Sequence, residues 1–468
     1  MHISTSLFVS PHWHGKDVEQ HTKTTHATAP KRRTYRTPTV SHILKDGRIV
    51  EMVYCPDEHK TALVVWSEGT SQEVTNVAVS PGKVLVPYSP HNNLIAHRVV
   101  LFPSAPCEYG TPQALLDEIR TYIRRYVDIS SEFEHITAYY ILFTWIHDAF
   151  NELPYVRARG DYGTGKTRFL LVIGSICYKP IFASGASTVS PIFHILDSFG
   201  GTLLIDEADF RFSDEKSDVV KILNNGNVRG FPVLRSELAP TKEFNPRAFR
   251  VFGPKLVATR GYYADRALES RFITEELGGR PIRSDIPINL PSAYQEEART
   301  LRNKLLLYRF RMLHKAHITT DHIDQRLEPR FNQIFTPLTS VIEDRAMREH
   351  LYTLAKRFQE DIVADRSQDT EAQVLTIIAE LSHTSPTLSV KDITDRFCER
   401  YGSEYERRIT PRWIGGIIRR NLQLRTHKSN GLYVLQLSDT TKLNQLYERY
   451  GVAPSGHGDF GDVATGQP

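Results

Sequence analysis

Residues 160–167 read GDYGTGKT. Gly160, Gly165, Lys166 and Thr167 satisfy the spacing G-x-x-x-x-G-K-[ST]. Glycines at this spacing let successive backbone N–H groups turn inward around phosphate oxygens. A helix that begins here adds its positive N-terminal end. Lys166 is then placed to reach the β- and γ-phosphates, and the Thr167 hydroxyl to ligate Mg²⁺. The whole segment, Gly160, Asp161, Tyr162, Gly163, Thr164, Gly165, Lys166 and Thr167, is the expected cradle for ATP with Mg²⁺.

Forty residues beyond Lys166, GGTLLIDEADF (200–210) ends a strand-forming run in Asp206 and Glu207. Carboxylates at the carboxyl end of a parallel strand are where nucleotide chemistry collects in α/β sheets. Asp206 is the expected Mg²⁺ holder, and Glu207 the group that orients or deprotonates the attacking water. A third strand, PKLVATRG (254–261), ends in Thr259 and Arg260. Thr259 at its tip is a candidate sensor of the γ-phosphate, with a capping threonine as the alternative. Beyond it, DRALESRFITEEL (265–277) carries Arg271. An arginine there can neutralise charge on a transferring phosphoryl group, in its own chain or in a neighbour. The alternative is a salt-bridged surface arginine.

These residues need elements to hold them. The strand PYVRAR feeds the glycine loop and the amphipathic KTRFLLVIGSICY follows it. Strands and helices then alternate to about residue 285, as in a parallel α/β layer. Thr111 with Pro112 opens a helix over 111–128, and a second covers 133–150. The longest apolar stretch, ITAYYILFTWI (136–146), is too short to span a bilayer and reads as a buried helix. The 468 residues therefore divide into a disordered basic arm (1–38), a small β-rich domain (39–105) and a helical linker (106–152). An α/β nucleotide domain (153–290), a helical lid (291–366), a small terminal domain (367–450) and a flexible tail (451–468) follow.

The order GDYGTGKT, LLIDEAD, LVATR, ALESRF resembles the AAA+ ATPases, in particular the helicase-like ATPases of bacterial mobile elements and the minichromosome-maintenance helicases. The resemblance covers about 130–290. It implies a P-loop three-layer sandwich, a ring-shaped homo-oligomer, expected as a hexamer, and Arg271 as the finger given to the next subunit's ATP. The minichromosome-maintenance sensor is usually asparagine, and here it is Thr259. A second sensor arginine from the lid is implied, with Arg299 and Arg302 as candidates. The segment 230–253 reads as a hairpin with its tip near Lys242. In the resembled helicases a hairpin here touches DNA, through Lys242 or Arg247 in this chain; a merely solvated hairpin is the alternative.

Residues 370–381, 389–400 and 410–421 read as three short helices, with caps at Ser389 and at Thr410 before Pro411. LQLRTHKSNGLYVLQL then gives two strands about the turn Ser429–Asn430–Gly431. Three helices and a β wing resemble a winged helix-turn-helix, whose third helix enters a DNA groove. From Arg407 to Ser438 there is no acidic residue. Arg412, Arg419, Arg420, Arg425 and Lys428 in that stretch are the expected phosphate contacts. Trp413, Ile414, Ile417 and Ile418 are expected core. The whole-chain charge of only +4 conceals this local face.

Four scattered cysteines, Cys55, Cys107, Cys177 and Cys398, form neither a metal spacing nor a disulfide framework. A reducing, cytoplasmic setting without membrane contact is expected. The combined expectation is an ATP-dependent DNA helicase in replication of a mobile element. The alternatives are a replication initiator or helicase loader, and a nucleotide-gated DNA-binding regulator.

Overall fold

The computed structural model describes residues 34–452, except 185–186, 209–213, 237–244, 264, 280, 320, 322, 368–369, 383–386, 406–407, 430 and 436–439. Most of the expected arm, the tip of the expected hairpin with Lys242, Arg407, Asn430 and the tail beyond 452 lie outside the described residues. The arm ends earlier than expected. Tyr35–Pro38 is a strand, paired in parallel with Lys83–Val86.

Five strands build the central sheet, all parallel. Their order across the sheet is Phe272–Glu276, Tyr155–Arg159, Lys255–Thr259, Leu203–Asp206 and Ile181–Ser184. Tyr155–Arg159, the loop strand, leads into the glycine loop. Leu203–Asp206 is the acidic strand, and Lys255–Thr259 lies between the two as the middle strand. The helices Lys166–Gly174 and Val189–Phe199, with the strand Ile181–Ser184, fill the interval from Lys166 to Asp206. One contact shows why Gly174 is glycine. A Cβ there would lie 1.8 Å from Leu204 Cδ2, so any larger residue would lift the helix off the acidic strand.

Thr111 caps the helix Pro112–Tyr126 through its hydroxyl, with Pro112 at the first position. Ser130 does the same for Ser131–Ile146. That second helix is apolar all round because it is covered all round: thirteen of its sixteen residues are buried. Among its neighbours is the helix Ala293–Met312.

The β-rich segment forms two small sheets. One is an antiparallel meander of Ser41–Ile43, Ile49–Cys55, Lys60–Ser67 and Thr70–Val74. The other joins Tyr35–Pro38, Lys83–Val86 and Val77–Ser80. Neither has a core of its own. Val50, Leu63 and Phe102 belong to the same continuous core as the central sheet and the helices up to Ala355. Trp66 stacks on Phe310 with ring centroids 5.4 Å apart. Sequence patterning cannot show such sharing, because alternation marks a buried face without naming its partner.

A buried ionic cluster ties the meander to the rest. Arg309 Nε donates to Glu51 at 2.7 Å, and the two terminal nitrogens donate to Asp148, each at 2.7 Å. Burial would raise the Asp148 carboxyl, but the charge of Arg309 outweighs it and holds the group low. Beside it, burial pushes the pKa of His147 down to about 4. A depressed histidine contributes stability above its unfolded pKa, and that stability is lost as pH falls through about 6.5 toward 4. Wild type should therefore lose roughly 2 kcal/mol of unfolding free energy between about pH 7.5 and 5, and His147→Gln distinctly less. Urea unfolding at both pH values tests this. Equal losses in the two proteins would move the effect to another group.

Residues 370–450 have a separate core of Leu375, Ile378, Ile393, Phe397, Ile414 and Ile418 among others. Its helices are Thr370–Ser382, Val390–Tyr401 and Pro411–Gly416, the last continuing through Asn421. Ser389 and Thr410 cap the second and third as expected. The antiparallel strands Thr426–Ser429 and Leu432–Leu435 follow. A short strand unseen in the sequence, Leu388–Ser389, adds to their edge. Another helix, Thr440–Tyr450, follows the strands.

Candidate functional site

The glycine loop leaves the carboxyl end of the loop strand and enters the helix that begins at Lys166. Gly163 and Gly165 have φ of +75° and +92°, a region costly for any residue with a Cβ. Gly160 is constrained by space: a Cβ would meet the Leu277 carbonyl oxygen at 2.5 Å. Lys166 Nζ donates to the carbonyl oxygens of Gly160 and Asp161, each at 2.6 Å, so its ammonium lies over the loop.

The middle strand brings the motifs into one line. Because Lys255–Thr259 separates the loop strand from the acidic strand, the tips of all three converge. The Thr167 hydroxyl donates to Asp206 Oδ2 at 2.7 Å across the 39 residues between them. The two expected Mg²⁺ ligands therefore already share one point. Thr259 is fully buried between them, and its hydroxyl has no hydrogen-bond partner among the described residues. An orphaned buried hydroxyl costs stability unless it is used. This hydroxyl, the glycine cradle and the Thr167–Asp206 pair suit a Mg²⁺-triphosphate.

Glu207 stands just beyond Asp206, exposed and at φ +54°. A non-glycine residue in that region marks strain of the kind found at working sites. Arg260 approaches its Oε1 at 3.9 Å and lies 3.7 Å from the centroid of Tyr162. Arg260 thus links the middle strand, the acidic tip and the glycine loop.

Beside the loop opens a cavity of about 780 Å³. Tyr162, Arg168, Asp128, Leu277 and Ile286 line it. Arg168 holds the 277–288 segment over the loop by donating to the carbonyls of Pro287 and Ile288. Arg168 was missed in the sequence, and Arg260, named at the end of its strand, was given no role there, although each directly follows a motif residue.

Arg271 lies elsewhere. It precedes the strand Phe272–Glu276, whose other end is level with Arg159. The five intervening residues put it roughly 16 Å along the sheet from its own loop. It is half-buried and donates to Asn224, and burial lowers its pKa. Its Nε has no partner among the described residues. A buried pair fixes this corner: Arg157 on the loop strand, 1% exposed, donates both terminal nitrogens to Glu269.

The two candidates for a second sensor fail on position. Arg302 is buried and donates to the carbonyls of Phe102 and Ser175, beyond the far end of the helix that the loop begins. Arg299 pairs with Asp57 and Glu296. Neither lines the loop cavity. The helix Ala293–Met312, expected as part of a lid, packs on Pro112–Tyr126 and Ser131–Ile146.

The expected hairpin has strands Val233–Arg235 and Arg247–Phe249, antiparallel and in register from Val233 opposite Phe249. Arg247 is held by Asp197 at 3.3 Å. In the terminal unit, Arg412, Arg419, Arg420, Arg425 and Lys428 are all exposed. Arg419 stands 5.3 Å from the Tyr433 ring, which joins the third helix to the hairpin behind it.

No helix among the described residues is long and apolar enough to cross a membrane. No protein-family model and no curated protein matches the chain. Solved structures do. The apo C-terminal region of NrS-1 is similar at 11% identity and a TM-score of 0.36, over 82% of this chain and 95% of that one. SCCmec type IV Cch, described as an active helicase, is similar at 11% identity and 0.35, over 81% and 79%. The Aeropyrum pernix ORC1 protein in complex with DNA is similar at 16% identity and 0.22, over 69% and 93%.

Proposed function

We propose that this chain is an ATP-driven DNA motor, an AAA+ helicase working as a ring, expected as a hexamer. The observation that carries the reading is the Thr167–Asp206 hydrogen bond beside the partnerless hydroxyl of Thr259. Three distant segments meet where a triphosphate on the glycine loop would end.

In this reading the backbone N–H groups of the loop and Lys166 hold the phosphates. Thr167 and Asp206 would hold Mg²⁺, which would supply charge neutralisation at the phosphates. Glu207 orients the attacking water and takes its proton. Arg260 restrains Glu207 until the loop is filled. Thr259 donates its hydroxyl toward the γ-phosphate. Arg271, too far from its own loop, serves a neighbouring subunit, and Arg157 with Glu269 positions it.

The terminal unit is read as a winged helix on DNA. Its five exposed cations stand in no ion pair among the described residues, so their charge is available. Arg419→Ala with Arg420→Ala should weaken duplex binding and lower the salt slope by about 2, near 0.9 per lost phosphate contact. Fluorescence anisotropy across a salt series reads both. An unchanged slope would move the DNA contact off this helix.

The motor reading is tested on a forked duplex with ATP and Mg²⁺. Strand displacement that stops in Lys166→Ala supports a helicase. ATP hydrolysis without displacement favours the loader or initiator reading, and displacement without hydrolysis would contradict all three.

A further inference from the structure

A second pocket lies at the amino ends of the central strands, opposite the end that carries the nucleotide loop. It measures about 460 Å³ and opens between the two roots of the hairpin, residues 229–232 and 250–252. Lys179, Gly200 and Phe252 reach it from the segments that precede three of the core strands. The glycine loop follows the carboxyl end of Tyr155–Arg159, which runs parallel to those strands, so the two sites are separate.

Lys179 is the unusual residue. It is 5% exposed; its ammonium lies 4.5 Å from the centroid of the Tyr178 ring, and no hydrogen bond or ion pair joins it to another described residue. Its backbone has φ +42°, a conformation that L residues rarely adopt. Lys255, the other buried lysine on this side, shows what a structural lysine does here. Its ammonium donates to three carbonyls, those of Gly253, Val251 and Gly226, at 2.7, 2.9 and 3.3 Å. The nearby carboxylates Glu51 and Asp148 favour its charge from a distance, but neither pairs with it. Arg309 already pairs with both.

The remaining lining suits an anion with a planar group attached. Arg229 and Arg250 stand at the mouth, and the side chain of Arg250 is 79% exposed. Arg229 lies 5.0 Å from the Phe252 ring, and Phe231 is exposed beside it. Of the lining carboxylates, Asp148 is tied to Arg309 and Asp197 to Arg250 itself, at 3.1 Å. Cations alternating with aromatic faces are the usual composition of a single-strand binding groove.

We propose that this pocket holds a phosphate group, with Lys179 as its buried charge and Arg229 and Arg250 at its mouth, and that the phosphate belongs to a nucleic-acid strand lying along the hairpin. The identity of the strand rests on the DNA reading above; the anion site does not. Burial brings the Lys179 amine down to about 8, so it acylates at a pH where exposed lysines are still protonated.

The test is acetic anhydride footprinting of the full chain, read by peptide mass spectrometry. The probes are a thymidine oligonucleotide and inorganic phosphate, each added to wild type and to Lys166→Ala. Protection of Lys179 by the oligonucleotide in both proteins supports the proposal as stated. Protection by inorganic phosphate alone keeps the anion site and overturns the strand as its occupant. If the oligonucleotide binds while Lys179 acylates as fast as in free protein, the pocket proposal fails and the DNA reading stands. If neither probe protects it, the site is no anion pocket. Lys179→Met keeps the stem and removes the charge, and should lower the single-strand salt slope by about 0.7 with basal ATPase unchanged. Lys179→Arg should keep the slope. A Lys179→Met slope equal to wild type would overturn the contact.

Discussion

Glu207→Gln will still bind ATP and will hydrolyse it about 10²–10³-fold more slowly, the loss expected when a positioned general base is removed. The substitution is isosteric and leaves the glycine loop, Lys166 and the Thr167–Asp206 bond untouched. Binding should therefore persist with an affinity within a few-fold of wild type, whereas Lys166→Ala loses it. The sign of the change separates the functional classes. A motor with this substitution binds DNA and ATP and stalls. A nucleotide-gated regulator keeps its ATP-bound activity, because occupancy alone is its signal. Equilibrium binding of a fluorescent ATP analogue, with steady-state phosphate release, reads both halves. Hydrolysis within threefold of wild type would remove Glu207 from the water's path and leave its strained backbone unexplained.

Arg271→Ala should cost about 10³-fold or more in hydrolysis, the range for a charge-stabilising arginine finger. The loss should be repairable by a neighbour. Arg271 precedes the strand whose far end lies beside its own loop, and in the proposed ring it would serve another chain. Mixing Arg271→Ala with Lys166→Ala subunits juxtaposes an intact loop and an intact arginine at about a quarter of randomly assorted interfaces. ATPase should return in the mixture, although each parent is inactive. No recovery in mixtures shown to co-assemble would contradict a shared site. Glu269→Gln should give a milder version of the Arg271 defect. It leaves Arg157 with a neutral partner in a buried corner, and Arg271 stands two residues away.

What was legible in the sequence was local. GDYGTGKT dictates its own geometry, since positive φ at Gly163 and Gly165 needs no tertiary information. Asp206 and Thr259 were readable because each ends a short β-branched or leucine-rich run. The caps at Thr111, Ser389 and Thr410 act within three residues of themselves. Charges whose partners are remote were not legible. Arg157 meets Glu269 across 112 residues, and Arg309 meets Glu51 across 258. Nothing in the local sequence around either arginine announces its partner. Arg302 was a candidate only because the resemblance implies a second sensor arginine, and its buried carbonyl partners place it in the core. The β-rich segment was recognised as strands, but its lack of a separate core was not, because the surfaces that cover it come from residues beyond 100.

The central claim is that a triphosphate is split at the carboxyl end of this parallel sheet and that DNA responds to it. Phosphate release by the purified full chain with ATP and Mg²⁺, measured with and without single-stranded DNA, tests it most directly. Hydrolysis that rises when DNA is added, and that disappears in Lys166→Ala and Glu207→Gln, is the predicted result. A folded chain that binds DNA but releases no phosphate, or one whose hydrolysis survives both substitutions, would contradict it.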